Sequence, residues 1–257
     1  MPVSGLPLAG RELEGRVALV TGGARNIGRA ISLALAAGGA SVAVNTRASR
    51  EDADTLVKGI REAGGAAEAY IADIADAAAV RAMTEAALKR FGHIDILVLN
   101  ASQRREVPFK DMSFEEWRNT MSITLDGSFH CIKACLPSMI ASGGGHIVTL
   151  AGDSVLLGNP GKAHNTAAKN GLVGLTRVLA KELADDGIRV NCVSPGTIDT
   201  TRPAHRSQRP PAKGTIPLGR WGEPEEIAAV VRFLCGPGAG FITGQTIHVN
   251  GGKMMFA

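Results

Sequence analysis

Short apolar runs alternate with longer segments of helical period almost to the end of this chain, and no other feature restricts its fold as much. Seven runs read as strands: Val17–Val20, Ser41–Val44, Ala69–Ala72, Ile94–Leu99, His146–Leu150, Ile188–Val193 and Thr246–Val249. They are continuous rather than alternating in polarity, the pattern of strands covered by helices on both faces. Between them, Val80, Met83, Ala87 and Phe91 recur at helical spacing, as do Ala168, Leu172, Leu175, Leu179 and Leu183, and again Ile227, Val230, Val231 and Leu234. A longer helix is predicted from Phe114 to about Met139. Such alternation implies right-handed crossovers, so the expected fold is α/β, a doubly wound parallel sheet with helices on both faces. No internal repeat or linker-like stretch divides the chain, and residues 1–257 read as a single domain. The stretch Asp199–Thr215, rich in proline and basic residues, reads as a loop or lid over that scaffold.

Composition excludes several classes. With 45% hydrophobic and 20% charged residues the chain is not disordered. A net charge of +4 without a long basic run speaks against nucleic acid as a partner. No apolar run of membrane-spanning length occurs, and Met1–Gly15 lacks the pattern of a secretion signal, so a cytoplasmic setting is expected. Cys131, Cys135, Cys192 and Cys235 form no CxxC pair and show no zinc spacing; no metal site is expected, and burial as small apolar residues is the favoured reading. The chain has a single tyrosine, Tyr70.

The first strand runs into Thr21-Gly22-Gly23-Ala24-Arg25-Asn26-Ile27-Gly28 and then a helix. Glycines at such a turn let the backbone approach a pyrophosphate, which the helix N-terminus favours through free N–H groups and its dipole. With this turn the chain resembles the short-chain dehydrogenase/reductase family, most closely its β-ketoacyl-carrier-protein reductase branch, from Gly15 to Gly252. The resemblance implies a Rossmann-type sheet of about seven strands and a nicotinamide cofactor. The family's TGxxxGxG turn matches Thr21 to Gly28, with Asn26 where the middle glycine stands. Asparagine tolerates left-handed φ better than most residues. The resemblance places the adenine contact on Asp73 and Ile74, the segment after the fourth strand on Asn100, Ala101 and Ser102, and the nicotinamide side on Pro195, Gly196, Ile198 and Thr200. The end of the second strand, Asn45-Thr46-Arg47, has no acid for a ribose 2′-hydroxyl, whereas Arg47 and Arg25 match basic positions of NADP-preferring members. The cofactor expected is NADP(H), held by Gly22, Arg25, Asn26, Ile27, Gly28, Thr46, Arg47 and the residues just named.

The family's reduction uses a tyrosine acid, a lysine four residues later, a serine and an asparagine. Lys169 matches the lysine, and also serves the nicotinamide ribose; the tyrosine position is Asn165, the serine falls on Gly152 and the asparagine on Thr124. Tyr70 lies on the third strand, on the adenine side, and is read as a packing residue. Loss of a general acid costs ~10²–10⁴-fold, so an ordinary ketoreductase built this way would be very slow. Other polar groups adjoin the vacated positions. Ser154 matches the alternative donor position of the dienoyl-CoA reductase branch, and His164 is chemically the best acid available, or else a surface or interface residue. Asp153 is a base, a partner for a cation, or a loop cap.

Arg104, Arg105, Arg202, His205, Arg206, Arg209 and Lys213 gather in the segments that border substrate in this architecture. They suit a small anionic ligand such as a carboxylate, phosphate or CoA thioester, or else form a solvated surface. The resemblance implies a homotetramer built through the two long helices bearing Cys131 and Lys169 and through the apolar end Met254-Met255-Phe256. Three functions fit: a reductase for a conjugated thioester or iminium, a catalytically silent NADP(H)-binding sensor or subunit partner, and a non-redox enzyme using Asp153 or His164.

Overall fold

The computed structural model describes residues 10–103, 105–201 and 211–255. Seven strands, β1 (Val17–Thr21), β2 (Ser41–Thr46), β3 (Ala67–Ile71), β4 (Ile96–Leu99), β5 (Gly145–Leu150), β6 (Ile188–Pro195) and β7 (Thr246–Val249), form one sheet in the order β3-β2-β1-β4-β5-β6-β7. Every neighbouring pair is parallel. The winding direction reverses between β1 and β4, and ligands of such sheets bind in the crevice at the carboxyl ends of the strands there.

Among the described residues eight α-helices accompany the strands: α1 (Asn26–Ala37), α2 (Arg50–Glu62), α3 (Ala77–Phe91), α4 (Phe114–Met121), α5 (Gly127–Ala141), α6 (Ser154–Leu157), α7 (Ala163–Glu182) and α8 (Pro224–Cys235). They divide between the faces. Ile31, Leu35, Leu56, Ile227 and Val231 of α1, α2 and α8 pack on Val20, Val44 and Ile96. On the other face Val80, Met83, Cys131 and Cys135 of α3 and α5 meet Leu19, Leu97 and Ile147. Adjacent residues Leu19 and Val20 therefore serve opposite cores, which is why the strands are apolar at every position. Each fully buried leucine or isoleucine contributes ~1.5–3 kcal/mol, so these two cores hold the sheet rigid beneath its loops. All four cysteines are buried and free; burial raises the Cys131 thiol above its ordinary range and pushes Cys135 up to about 12.

The segment expected as one helix from Phe114 departs from that reading. A capping box of Ser113 and Glu116 starts α4, but a π-helical stretch, Ser122–Asp126, separates it from α5. Thr124 lies at this irregularity, fully buried, and its carbonyl accepts the Ser128 hydroxyl at 2.7 Å. No helix among the described residues is long and apolar enough to cross a membrane.

Candidate active site

The turn after β1 is shaped by backbone. Gly22 has φ +59° and Asn26 φ +50°, both left-handed. A Cβ on Gly28 would lie 2.1 Å from the Gly22 carbonyl oxygen, and one on Gly22 would lie 3.1 Å from the Ala101 Cα. These close approaches bring the turn against the end of β4. The Thr21 hydroxyl accepts from the Asn100 and Ala101 backbone N–H groups at 3.0 and 3.1 Å, and the Asn100 amide donates to the Thr21 and Gly22 carbonyls. The cradle left at the start of α1 has the form a pyrophosphate requires. The Asn26 side-chain oxygen accepts from the Thr201 N–H at 2.9 Å, tying the turn to the first residues of the proposed lid.

At the adenine-side end of the sheet Arg47 is exposed and Thr46 buried, its hydroxyl accepting from Ser49 N–H. Arg25 faces Asp52, from the first turn of α2, at 3.6 Å. An acid therefore does stand beside Arg25, brought there by α2 rather than by the end of β2. Asp73 accepts from Ala75 N–H in a local turn, and Ile74 is buried against Gly127. Tyr70 lies on the edge strand β3, its hydroxyl donating weakly to the Ala86 carbonyl, with burial raising its pKa.

Beyond the carboxyl ends of β4, β5 and β6 lies a cavity of about 390 Å³, lined among others by Ile27, Asn100, Ser102, Gly152, Asp153, Ser154, Asn165, Lys169, Gly196, Ile198, Thr200 and Lys253. The elements that build it hold its polar groups closely. Lys169 of α7 is buried and donates to the Leu150 carbonyl. The Asn165 amide nitrogen donates to the Gln103 carbonyl at 2.9 Å and to the Ser102 hydroxyl at 3.3 Å. Thr124 reaches the same hydroxyl at 3.4 Å. Ser102 thus links two positions that sequence reading placed in the catalytic group. Gly152 leaves space: a Cβ there would meet nothing nearer than the Ser154 hydroxyl, at 3.8 Å.

His164 is brought elsewhere. It is 1% exposed, does not line the cavity, and its Nδ1 is buried without a hydrogen-bond partner. Successive helical residues point ~100° apart, and α7 aims Asn165, not His164, at the cavity. Burial lowers its pKa and Arg105 adds to this, against the Glu116 charge. His164, read in the sequence as an acid or as a surface or interface residue, thus neither lines this cavity nor lies at the protomer surface. Asp153 caps nothing with its side chain; its carboxylate pairs with Lys253 at 2.7 Å. Lys253, which also donates to the Thr197 hydroxyl at 3.2 Å, went unnoticed in the sequence. It carries no local motif, and only the pairing of β6 with β7 brings residue 253 to the loop after β5.

Of the basic residues expected around substrate, Arg105 lines the cavity but pairs with Glu116 at 3.0 Å. Lys162, also in the lining, pairs with Glu106 at 3.5 Å. Lys213 is exposed in a turn away from the cavity lining. Arg104, Arg202, His205, Arg206, Arg209 and Phe256 lie outside the described residues.

Comparison with known proteins matches residues 22–253 to the family model described as enoyl-(acyl carrier protein) reductase. A 3-oxoacyl-[acyl-carrier-protein] reductase of Synechocystis sp. is 42% identical over 245 residues, 95% of this chain and 99% of the relative. One from Thermotoga maritima is 38% identical over 245 residues, with the same coverage of 95% and 99%. The crystal structure of a dehydrogenase/reductase from Sinorhizobium meliloti superposes with a TM-score of 0.90 at 34% identity, covering 95% of this chain and 97% of the other.

Proposed function

Since this chain belongs to the short-chain dehydrogenase/reductase family, we propose that it is an NADP(H)-dependent oxidoreductase whose active site works without a tyrosine acid. The observation that carries this reading is the cavity in which Asn165 and Gly152 stand beside buried Lys169, next to the turn shaped by Gly22, Asn26 and Gly28. The cradle fits a dinucleotide, because a Cβ on Gly28 would collide with backbone and the free N–H groups of α1 face the turn. Gly22, Asn26, Ile27 and Gly28 would hold the pyrophosphate, Asp73 and Ile74 the adenine, and Arg25, Arg47 and Thr46 the 2′-phosphate. Asn100, Ala101, Ser102, Lys169, Pro195, Gly196, Ile198 and Thr200 would hold the nicotinamide half. When bound, the nicotinamide supplies hydride chemistry.

The chain's own residues set what substrate can follow. Asn165 cannot donate a proton as an acid, and its two amide hydrogens are committed to Gln103 and Ser102. Lys169 is buried with its side-chain nitrogen donating to the Leu150 carbonyl, which fixes where that donor stands in the cavity. A substrate that needs no strong acid, such as a conjugated thioester or an iminium, suits this arrangement, and the family model's enoyl reductase description supports the first of these. In the same reading the protein is a cytoplasmic homotetramer, with Phe129 of α5 and Val178 of α7 exposed for burial by a partner subunit.

Single-turnover oxidation of NADPH against ketones, enoyl thioesters and imines tests the proposal. Turnover of an enoyl thioester or imine well above that of any ketone is expected. Tight NADPH binding with no turnover in any class would favour the catalytically silent reading, which the self-satisfied hydrogen bonds of Asn165 also suit.

A further inference from the structure

We propose that Lys253 is the residue that hydrogen-bonds the substrate's oxygen in this cavity, with Asp153 and Thr197 as its positioning residues. This deepens the function proposed above and rests on it. Three strand ends converge on the ammonium group. Lys253 follows β7, Asp153 follows β5 with its N–H bonded to the Pro195 carbonyl at 2.9 Å, and Thr197 follows β6. Both charged side chains are largely shielded, 18% exposed for Lys253 and 15% for Asp153, and both line the cavity.

An ammonium has three N–H donors in a tetrahedral array. Asp153 takes one at 2.7 Å and Thr197 a second at 3.2 Å. Two fixed acceptors orient the third donor, and the cavity is the space that Lys253 lines. The other residues near the expected reaction centre cannot serve a substrate oxygen as well. Gly152 has no side chain, and Asn165 has spent both amide hydrogens on Gln103 and Ser102. The side chains of Arg105 and Lys162 are more exposed, 59% and 24% against 18% for Lys253, so solvent weakens their contacts more, and Ser154 offers only a neutral hydroxyl. Charge-assisted donors are roughly twice as strong as neutral ones, most of all where the partner oxygen carries negative charge. Asp153 and Thr197 hold the Lys253 ammonium in place, so the group acts as a directed donor rather than a diffuse field. The substrate class that follows is a compound whose reacting group bears an oxygen that is anionic or becomes so, a carboxylate or a polarised carbonyl.

Benzoate and benzamide are matched probes, alike in shape but different in charge, and their binding is read by calorimetry on the protein loaded with NADP⁺. We expect benzoate to bind at least about tenfold tighter than benzamide, the size of one charge-assisted contact. Lys253→Met should abolish that preference. Lys253→Gln, uncharged but still a donor, should reduce it and stands in if the methionine variant does not fold. Equal affinity for the two probes in the natural protein, or a preference that survives both substitutions, would overturn the assignment. The NADP⁺ titration comes first in the same cell. Its failure would refute the function proposed above, while the probe comparison on the protein alone would still decide the role of Lys253.

Discussion

Arg47→Ala should separate the two nicotinamide cofactors. Arg47 is exposed just after β2, and Arg25 is exposed at the N-cap position of α1, so neither carries a packing role that its removal would disturb. A guanidinium on a phosphate contributes ~1.5–3 kcal/mol where the contact is shielded. Solvent exposure places these contacts at the lower end, about 1.4 kcal/mol, or roughly tenfold in the dissociation constant. Arg47→Ala is therefore expected to weaken NADPH about tenfold and leave NADH unchanged, and Arg25→Ala to do so to a smaller extent. The smaller effect follows from Asp52, which already holds Arg25 at 3.6 Å with both side chains at least half exposed, 66% and 50%. An exposed pair of that kind is worth under ~1 kcal/mol. Asp52→Asn should accordingly free Arg25 and remove an anion beside the phosphate site, tightening NADPH by about two- to fivefold. Quenching of protein fluorescence, or enhancement of NADPH fluorescence, gives all of these constants at one ionic strength. Identical NADPH and NADH curves for the natural protein, or an Arg47→Ala protein that loses both cofactors equally, would refute the reasoning.

Asn165→Tyr combined with Gly152→Ser should raise NADPH-dependent ketone reduction by about 10²-fold, the low end for a restored general acid because Thr124 is unchanged; a folded, NADPH-binding double variant with no gain would show a site rebuilt for other chemistry. Room for the serine exists, since nothing lies within 3.8 Å of a Cβ at residue 152. His146 is pushed down to about 4, by burial first and then by the charges of Arg189 and Arg16, so it is neutral in the folded protein while the unfolded chain protonates near ~6.5. The unfolded state binds the proton first on acidification, and stability worth at most ~3 kcal/mol is lost as pH falls from about 6.5 to about 4. Denaturant melts of the His146→Gln variant should lack that step. If the proposed tetramer buries α5, Phe129→Glu should lower the assembly state seen by sedimentation, because Phe129 is 53% exposed on that helix; a 26.6 kDa species for the natural protein at micromolar concentration would contradict the tetramer.

What could be read from the sequence divides along a physical line. Strands that serve two cores must be apolar at every position, so Leu19 beside Val20, or Leu97 beside Val98, announce themselves without a partner in view. Left-handed backbone is equally local, and Asn26 at φ +50° stands where an asparagine is tolerated. Features that depend on distant partners left no trace. The π-helical turn at Ser122–Asp126 looks in sequence like uninterrupted helix. Asp52 reaches Arg25 only because α2 starts beside the turn, and Lys253 meets Asp153 across 100 positions of sequence. His164 was legible as a chemically capable side chain but not in direction, since adjacent helical residues differ by ~100°.

Buried charge bears on the choice between a working site and a silent one, and Lys169 is the most deeply buried of the cavity's charged groups. It is 6% exposed. Taking an ammonium out of water costs several kcal/mol even after relaxation, and apolar residues of similar volume often stabilise such positions. The bond to the Leu150 carbonyl returns part of that cost, not all of it. Asp153 and Lys253 add a second shielded pair in the same cavity, where leucine and methionine would pack at lower cost. A fold that needed only to bind a dinucleotide would still use Lys169 at the ribose, but would be more stable without the Asp153–Lys253 pair. The Asp153–Lys253 pair, beyond the carboxyl ends of β5 and β7 and lining one cavity, is the arrangement expected when charge is needed for a ligand that enters there.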